Sequence, residues 1–410
     1  MVTESQAGDG FIVPAAGRER YLWDPADAGL YSRSELRRQR GPYESTLPAQ
    51  IAEWRPTFSG SVSADVEDAT RALLDFDAHA RGALGVDDPA AGPMSAILLR
   101  TEAVSSSQIE NLTTSARQLA LAELDQTSRS NAMTVIGNVR AMEAALSLAE
   151  RIDEAAILAM HREMLSRQPG FERHAGVFRD QLVWIGKDNA GPRGADFVAP
   201  QPQRVPAAMR DLVVFASRDD LPVLVQVAVA HAQFETVHPF VDGNGRTGRA
   251  FAQALLRNKG LASHTTVPLS AGLLTDTGSY FDALTAYRDG DPGPIVARFA
   301  DAARFATVTG RHLVDELAAQ LADGRGKLVG VRPQAAVWTV LPRLVGQPVV
   351  TTAYLVETLG LNKVTAGRTL DLLTARGVLS ERTGMRRNRI WQHTGILDVL
   401  DEYAHSIRRD

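Results

Sequence analysis

A chain of 410 residues exceeds what one hydrophobic core usually organises, so two or three domains are expected. Its 44% hydrophobic and 22% charged residues are those of an ordinary globular protein, and a formal net charge of −4 gives no global attraction to nucleic acid or anionic membrane. Cysteine is absent, which excludes disulfides, thiolate metal sites and cysteine nucleophiles.

No apolar run approaches the roughly 20 residues of a membrane span, and the opening MVTESQAGDG lacks the basic-then-apolar pattern of a secretion signal. A cytoplasmic protein without membrane contact is expected. Residues 1–45 mix Gly, Pro, Arg and Asp without sustained periodicity and read as an extended arm. From Ser63 to about Leu165 the apolar spacing of three and four predicts successive helices, as in Val66, Ala69, Leu73 and in Ile136, Val139, Met142, Leu146. Residues 176–200 break that period: GVFRDQLVWIG reads as a strand, KDNAGPRGA as a turn-rich loop and DFVAP as a second strand. Helices resume from Val205, run through Leu221 to Val237, and then span Thr247 to Asn258, Ser279 to Arg288 and Pro294 to Asp323. A connector follows, and residues 331–410 carry their own helix, turn and strand punctuation.

The stretch His238-Pro-Phe-Val-Asp-Gly-Asn-Gly-Arg-Thr-Gly-Arg249 follows one helix and opens another, so its glycines fall at a helix N-terminus. Gly243 and Gly245 permit a tight path that turns N–H groups inward, and the helix dipole favours phosphate there. Asn244 adds a side-chain donor. Arg246 and Arg249, three apart, place two guanidinium groups on one side of a bound polyphosphate. Asp242 is a hard carboxylate suited to one Mg²⁺ position, and His238 is the nearby base that titrates close to neutrality. Three other readings stay open at this point. Gly243-x-Gly245-x-x-Gly248 matches a dinucleotide fingerprint in form, although a helix rather than a strand precedes it. His231, Glu235 and His238, at i, i+4 and i+7, could face one metal ion. The segment could also be a plain turn between helices.

The run HPFVDGNGRTGR resembles the signature of the Fic family, His-x-Phe-x-Asp/Glu-Gly-Asn-Gly-Arg-x-x-Arg, at every specified position: His238, Phe240, Asp242, Gly243, Asn244, Gly245, Arg246 and Arg249. The resemblance extends through LLRTEAVSSSQIENL, HAGVFRDQLVWIG, FVAPQPQRVPAAMRDL and GSYFDALTAYR, covering roughly residues 45–310. It implies a mainly α fold: a helical Fic domain with a β-hairpin flap over about 181–199, followed by a small C-terminal winged-helix domain. It implies protein adenylylation, with ATP as substrate and Mg²⁺ as metal. His238 would deprotonate a Ser, Thr or Tyr hydroxyl of a target protein, which attacks the α-phosphate. His238, Gly243, Asn244, Gly245, Arg246, Thr247, Gly248 and Arg249 would contact ATP, with Tyr280 near the adenine and Asp242 on the metal. Phe240 reads as an anchor of the loop in the helical core. The flap would hold an extended target segment by strand addition.

Ser106-Ser-Gln-Ile-Glu110-Asn111 is similar to the family's inhibitory pattern Ser/Thr-x-x-x-Glu-Gly/Asn, which implies that Glu110 pairs with Arg249 and misplaces ATP. The inhibitory helix is expected over about 105–124, and Ser107-x-x-Glu110 also spells a capping box at its start. The expected organisation is an arm over 1–45, a Fic domain over 46–325 and a winged helix-turn-helix domain over 331–410. In the last, helices are predicted over Thr352 to Leu359 and Asn362 to Ala375, then a wing with Gly384 and Met385 at its tip and Arg386, Arg387 and Arg389 following. That basic wing suggests DNA as a further partner, and the same fold also serves for homodimers. Removal of AMP, transfer of another nucleotide, or a nucleotide-sensing DNA-binding regulator are the alternative functions.

Overall fold

The computed structural model describes residues 12–25, 30–83, 88–166, 168, 170–382 and 389–407. In chain order these form β1 (Gly17–Trp23), α1 (Arg33–Gln39), β2 (Gly41–Leu47), α2 (Gly60–Gly82), α3 (Ala91–Ile109), α4 (Ala116–Glu123), α5 (Ser130–Ser147) and α6 (Glu154–Leu165). There follow β3 (Trp184–Ile185), β4 (Phe197–Val198), α7 (Val205–Ala216), α8 (Val223–Val237), α9 (Asn244–Asn258), α10 (Leu269–Leu274), α11 (Thr277–Arg288) and α12 (Gly293–Lys327). The chain ends with α13 (Val337–Gly346), β5 (Val349–Thr351), α14 (Thr352–Glu357), α15 (Lys363–Ala375), β6 (Ser380–Glu381), β7 (Ile390–Gln392) and α16 (Thr394–Ser406). The fold is mainly helical with small sheets, as the sequence predicts. Among the described residues no helix is long and apolar enough to cross a membrane.

The chain divides into two compact units. One comprises residues up to Asp68, Ala144–Lys259 and Thr277–Ala300. At its centre lies α8, whose residues from Leu224 to Val237 are all buried, so it carries no polar face and packs against α7, α9 and α11. In the region read as an extended arm over 1–45, β1 and β2 form a hairpin, pairing antiparallel from Gly17↔Leu47 to Trp23↔Gly41. The cross-strand partners Tyr21 and Tyr43 stack at 5.9 Å between centroids, the kind of pair that stabilises a two-stranded sheet. Seventeen residues separate the two strands and include α1, so no short turn signal announces the hairpin. The strand expected over 176–186 shortens to Trp184–Ile185, paired with β4 through Trp184↔Val198 and Ile185↔Phe197. Upstream of it, Arg179 N–H bonds to Pro239 O rather than to a ladder.

The other unit comprises Ala69–Glu143, Gly260–Asp276 and residues from Asp301 onward. Here α3 packs against α10 and α13, and its buried Glu102 accepts two bonds from Ser270 of α10, from N at 2.8 Å and Oγ at 2.6 Å. The expected single helix over 105–124 is two helices. Asn111 turns left-handed with φ 62°, Asn111 N–H bonds to Gln108 O and Leu112 N–H to Ser107 O, which closes α3 as a Schellman motif. Ser115 then caps α4 by accepting from Gln118 N. Glu110 is therefore the C-cap of α3 and not part of a capping box; the Ser107 hydroxyl donates to Ala103 O instead. Toward the C-terminus α13, α14 and α15 accompany a three-stranded sheet in the order β5-β7-β6, with the Asn362 side chain capping α15. Gly384, Met385, Arg386 and Arg387 lie outside the described residues.

Candidate active site

His238 ends α8 in a left-handed conformation, φ 49° and ψ 61°, that a residue with a Cβ adopts at some cost. What holds it there is Arg179, 4% exposed, whose guanidinium is committed to backbone carbonyls. Nε donates to His238 O at 2.8 Å, Nη1 to Gln181 O at 3.0 Å and Nη2 to Pro200 O at 2.6 Å. Burial pulls the guanidinium down to about 10, which leaves it charged at neutral pH. The His238 side chain keeps 15% of its surface open, with Nδ1 3.8 Å from Glu235 Oε2 and the Phe197 ring edge-on at 5.9 Å. Burial first, then the cations of Arg179 and Arg288, hold its imidazole well below the usual range. It is therefore neutral near pH 7, but it does not titrate close to neutrality as the sequence suggests: burial and the two cations weaken it as a base in this unliganded site.

The loop after His238 is closed by its own groups. Phe240 is fully buried, stacked on His161 at 3.6 Å and 5°, which fits the anchoring role expected of it. Asn244 bonds both ways to Phe240, Oδ1 accepting from N at 2.8 Å and Nδ2 donating to O at 2.9 Å. Its side chain is thus spent within the loop rather than offered to phosphate. His161 accepts from Gly176 N–H on Nδ1 at 2.9 Å and lies 3.1 Å from Asp242 O through Nε2. Those partners place the proton on Nε2, and burial pushes the ring down to about 4. Gly243, φ 76°, is the N-cap of α9; a Cβ there would lie 2.1 Å from Met164 Cε. Gly248 serves packing, since its Cβ would meet Glu235 Oε1 at 2.9 Å and Phe234 Cδ1 at 3.0 Å. Thr247 is buried with its hydroxyl toward Met164 Sδ, so it too is turned away from a ligand.

Gly245, Arg246 and Arg249 lie on the first two turns of α9, where the helix dipole favours an anion. Arg246 Nη2 is 3.2 Å from Asp242 Oδ2, and the Asp242 side chain is 37% exposed. Arg249 is 3% exposed and lies close enough to His231 for its charge to help push that ring down to about 3, after burial. His231, Glu235 and His238 are not gathered as a metal site: among the described residues no group of three such side chains is, and His231 Nε2 lies 2.7 Å from the Tyr280 hydroxyl. Tyr280, expected near the adenine, is 1% exposed, and Phe281 beside it is 51% exposed. An amphipathic helix buried one aromatic and presented the next.

Arg179 and His161 were not singled out from sequence. Arg179 stands in HAGVFRD, one of the segments that carry the family resemblance, whereas His161 lies in an ordinary amphipathic helix with no local signal. Of the residues that the resemblance implies to be inhibitory, Ser106 is fully buried in α3, Glu110 caps that helix and Asn111 supplies its left-handed turn. At the C-terminal module Arg389 is committed inside the chain, 2.6 Å from Glu381, 3.7 Å from Asp371 and over the Trp391 ring at 4.7 Å.

Residues 151–256 match the family model of the Fic/DOC family, and residues 64–147 match that of the Fic/DOC family N-terminal region. Over 113 residues the chain is 32% identical to a probable protein adenylyltransferase of Aquifex aeolicus, covering 27% of this chain and 32% of that relative. Over 160 residues it is 29% identical to the protein adenylyltransferase Fic of Drosophila melanogaster, covering 38% and 29%. The chain spans about a third of the length of these curated relatives or less. Its fold is similar to a crystal structure of a Fic family protein from Desulfovibrio desulfuricans G20, with a TM-score of 0.52 and 22% identity over 83% of this chain and 97% of that one.

Proposed function

The chain belongs to the Fic/DOC family, and from that premise we propose that it transfers AMP from ATP to a Ser, Thr or Tyr hydroxyl of a target protein and of itself, restrained by Glu110. The observation that carries this reading is the neutral His238, clamped through its carbonyl by Arg179, immediately before a helix N-terminus bearing Asp242, Arg246 and Arg249. The α9 N-terminus and the two arginines would hold the polyphosphate, so that little covalent work is left to the protein beyond positioning and charge neutralisation. His238 takes the proton of the attacking hydroxyl. The new O–P bond forms at the α-phosphorus as the bond to the bridging oxygen breaks, and pyrophosphate leaves with its electrons. Asp242 is the loop's exposed carboxylate and fits a hard divalent cation, supplying one oxygen beside phosphate oxygens and water. With Asp242 holding it, a Mg²⁺ ion would supply neutralisation of phosphate charge.

Glu110 would restrain the reaction by pairing with Arg249 and displacing the γ-phosphate from it. The flap β3–β4 would present the target segment. The C-terminal module is read as a winged helix whose α15 exposes Lys363 and Arg368, the cations it would offer to DNA phosphates. The test of the central reading uses the Glu110→Gly chain, free of the proposed restraint, with ATP labelled in turn at the α and γ positions. Label from the α position is expected on protein; γ label retained on protein would mean phosphate transfer, and neither label would leave nucleotide sensing or AMP removal as the function.

A further inference from the structure

The N-terminal hairpin takes no part in the chemistry above, yet its polar groups converge on one place, the loop between β3 and β4. The Trp23 indole N–H donates to Ala190 O at 3.1 Å, and its ring meets Trp184 edge-on at 5.5 Å. Gln39, 2% exposed, spends both ends of its amide on one residue, Nε2 donating to Arg193 O at 3.1 Å and Oε1 accepting from Arg193 N at 2.9 Å. A neighbouring strand would make that pair of bonds; here a side chain makes it. Arg193 Nη1 returns two bonds, to Arg38 O at 2.8 Å and Arg40 O at 2.5 Å. Ser45 of β2 donates to Ala199 O at 2.9 Å, just past β4. The approach is close enough that a Cβ on Gly191 would lie 2.5 Å from Trp23 Nε1 and 2.8 Å from Gln39 Oε1.

This convergence matters because β3 and β4 pair over only two residues each, and so short a hairpin does not hold its shape alone in water. Its conformation is therefore set by what packs on it. Phe197 of β4 is the ring in edge contact with His238, so the same conformation sets the wall beside the base.

We infer that β1–α1–β2 is a clasp that fixes the flap, with Trp23 and Gln39 as positioning residues, so that the acceptor segment of a target protein is presented to His238 only while the arm is docked. The consequence for catalysis rests on the AMP-transfer reading; the clasp itself does not. Both are tested on the full chain by Trp23→Ala and, as the milder variant, Gln39→Ala. Amide hydrogen exchange over residues 183–199 is expected to quicken about tenfold or more in both, with α8 and α9 unchanged. Transfer of α-labelled AMP to proteins of a host lysate should fall by a similar factor, while the KM for ATP stays at the parent value. Unchanged flap exchange overturns the clasp, and so does faster flap exchange with undiminished protein labelling. The labelling arm is read in the Glu110→Gly background, where the proposed restraint is absent; if that chain labels no protein, the AMP-transfer reading fails, and the exchange result still decides whether the arm holds the flap.

Discussion

At the residue scale, the site depends on side chains that never touch the reacting atoms. Arg179 is the clearest: removing its guanidinium leaves carbonyls of Gln181, His238 and Pro200 without a donor in a buried place. Arg179→Ala should therefore cost on the order of 3 kcal/mol or more and lower AMP transfer. Arg179→Lys should not restore it, because one ammonium cannot span three carbonyls set around a planar fork. Thermal unfolding and labelling rate on both variants check this. Tyr280 gives the opposite case. Tyr280→Phe removes its hydroxyl from His231 and should cost about 1 kcal/mol while leaving the KM for ATP unchanged, since the ring is buried. A raised KM would return Tyr280 to the nucleotide. These residues also show where reading the sequence stopped. The signature named His238 and Asp242 because their chemistry is carried by residue type, whereas Arg179 and His161 work through partners distant along the chain, Pro200, His238 and Gly176.

At the element scale, the break between α3 and α4 changes what a substitution at Glu110 should do. A glutamate in a capping box would cost stability when replaced, but Glu110 follows the last turn of α3 at its C-cap, where glycine is well tolerated. Glu110→Gly thus loses no helix cap, but it leaves the buried Arg249 without its proposed partner, so it is expected to lower the melting temperature while raising AMP transfer well above the parent. Arg249→Ala should lower it, and the double variant should match Arg249→Ala, because releasing an absent arginine achieves nothing. Additive effects in that cycle would show that the two residues act separately. Local pattern could not place this break: SSSQIE continues a helical period, and only the Asn111 turn with its backward bonds ends it. The arm failed to read as a hairpin for a related reason, since its strands are joined through a helix.

Across the whole molecule, helix content and order were legible because apolar periodicity over ten or more residues records burial, as in α7 with Val205, Met209, Leu212 and Phe215 buried. The grouping of segments into two units was not, since it depends on pairings between residues far apart along the chain. Buried histidines occur in both, and they set the pH dependence. His161 and His393 are pushed down to about 4 and His231 to about 3, each by burial before any other cause. Unfolded, each would titrate near 6.5, so between about 4 and 6.5 the unfolded chain binds more protons than the folded one. Stability should be fully present above that window and decline as pH falls through it, by up to about 1.4 kcal/mol per pH unit for each histidine. Denaturant titrations at pH 7, 6 and 5 measure this, and a flat profile over that range would contradict the burial described.

The central claim is that His238 is the base of an AMP transfer. It is tested most directly by incubating α-labelled ATP with Glu110→Gly and with Glu110→Gly/His238→Ala, and measuring label on protein together with ATP affinity. The account predicts strong labelling by the first variant and a loss of about a hundredfold or more in the second, with ATP still bound. Equal labelling by the two would contradict it.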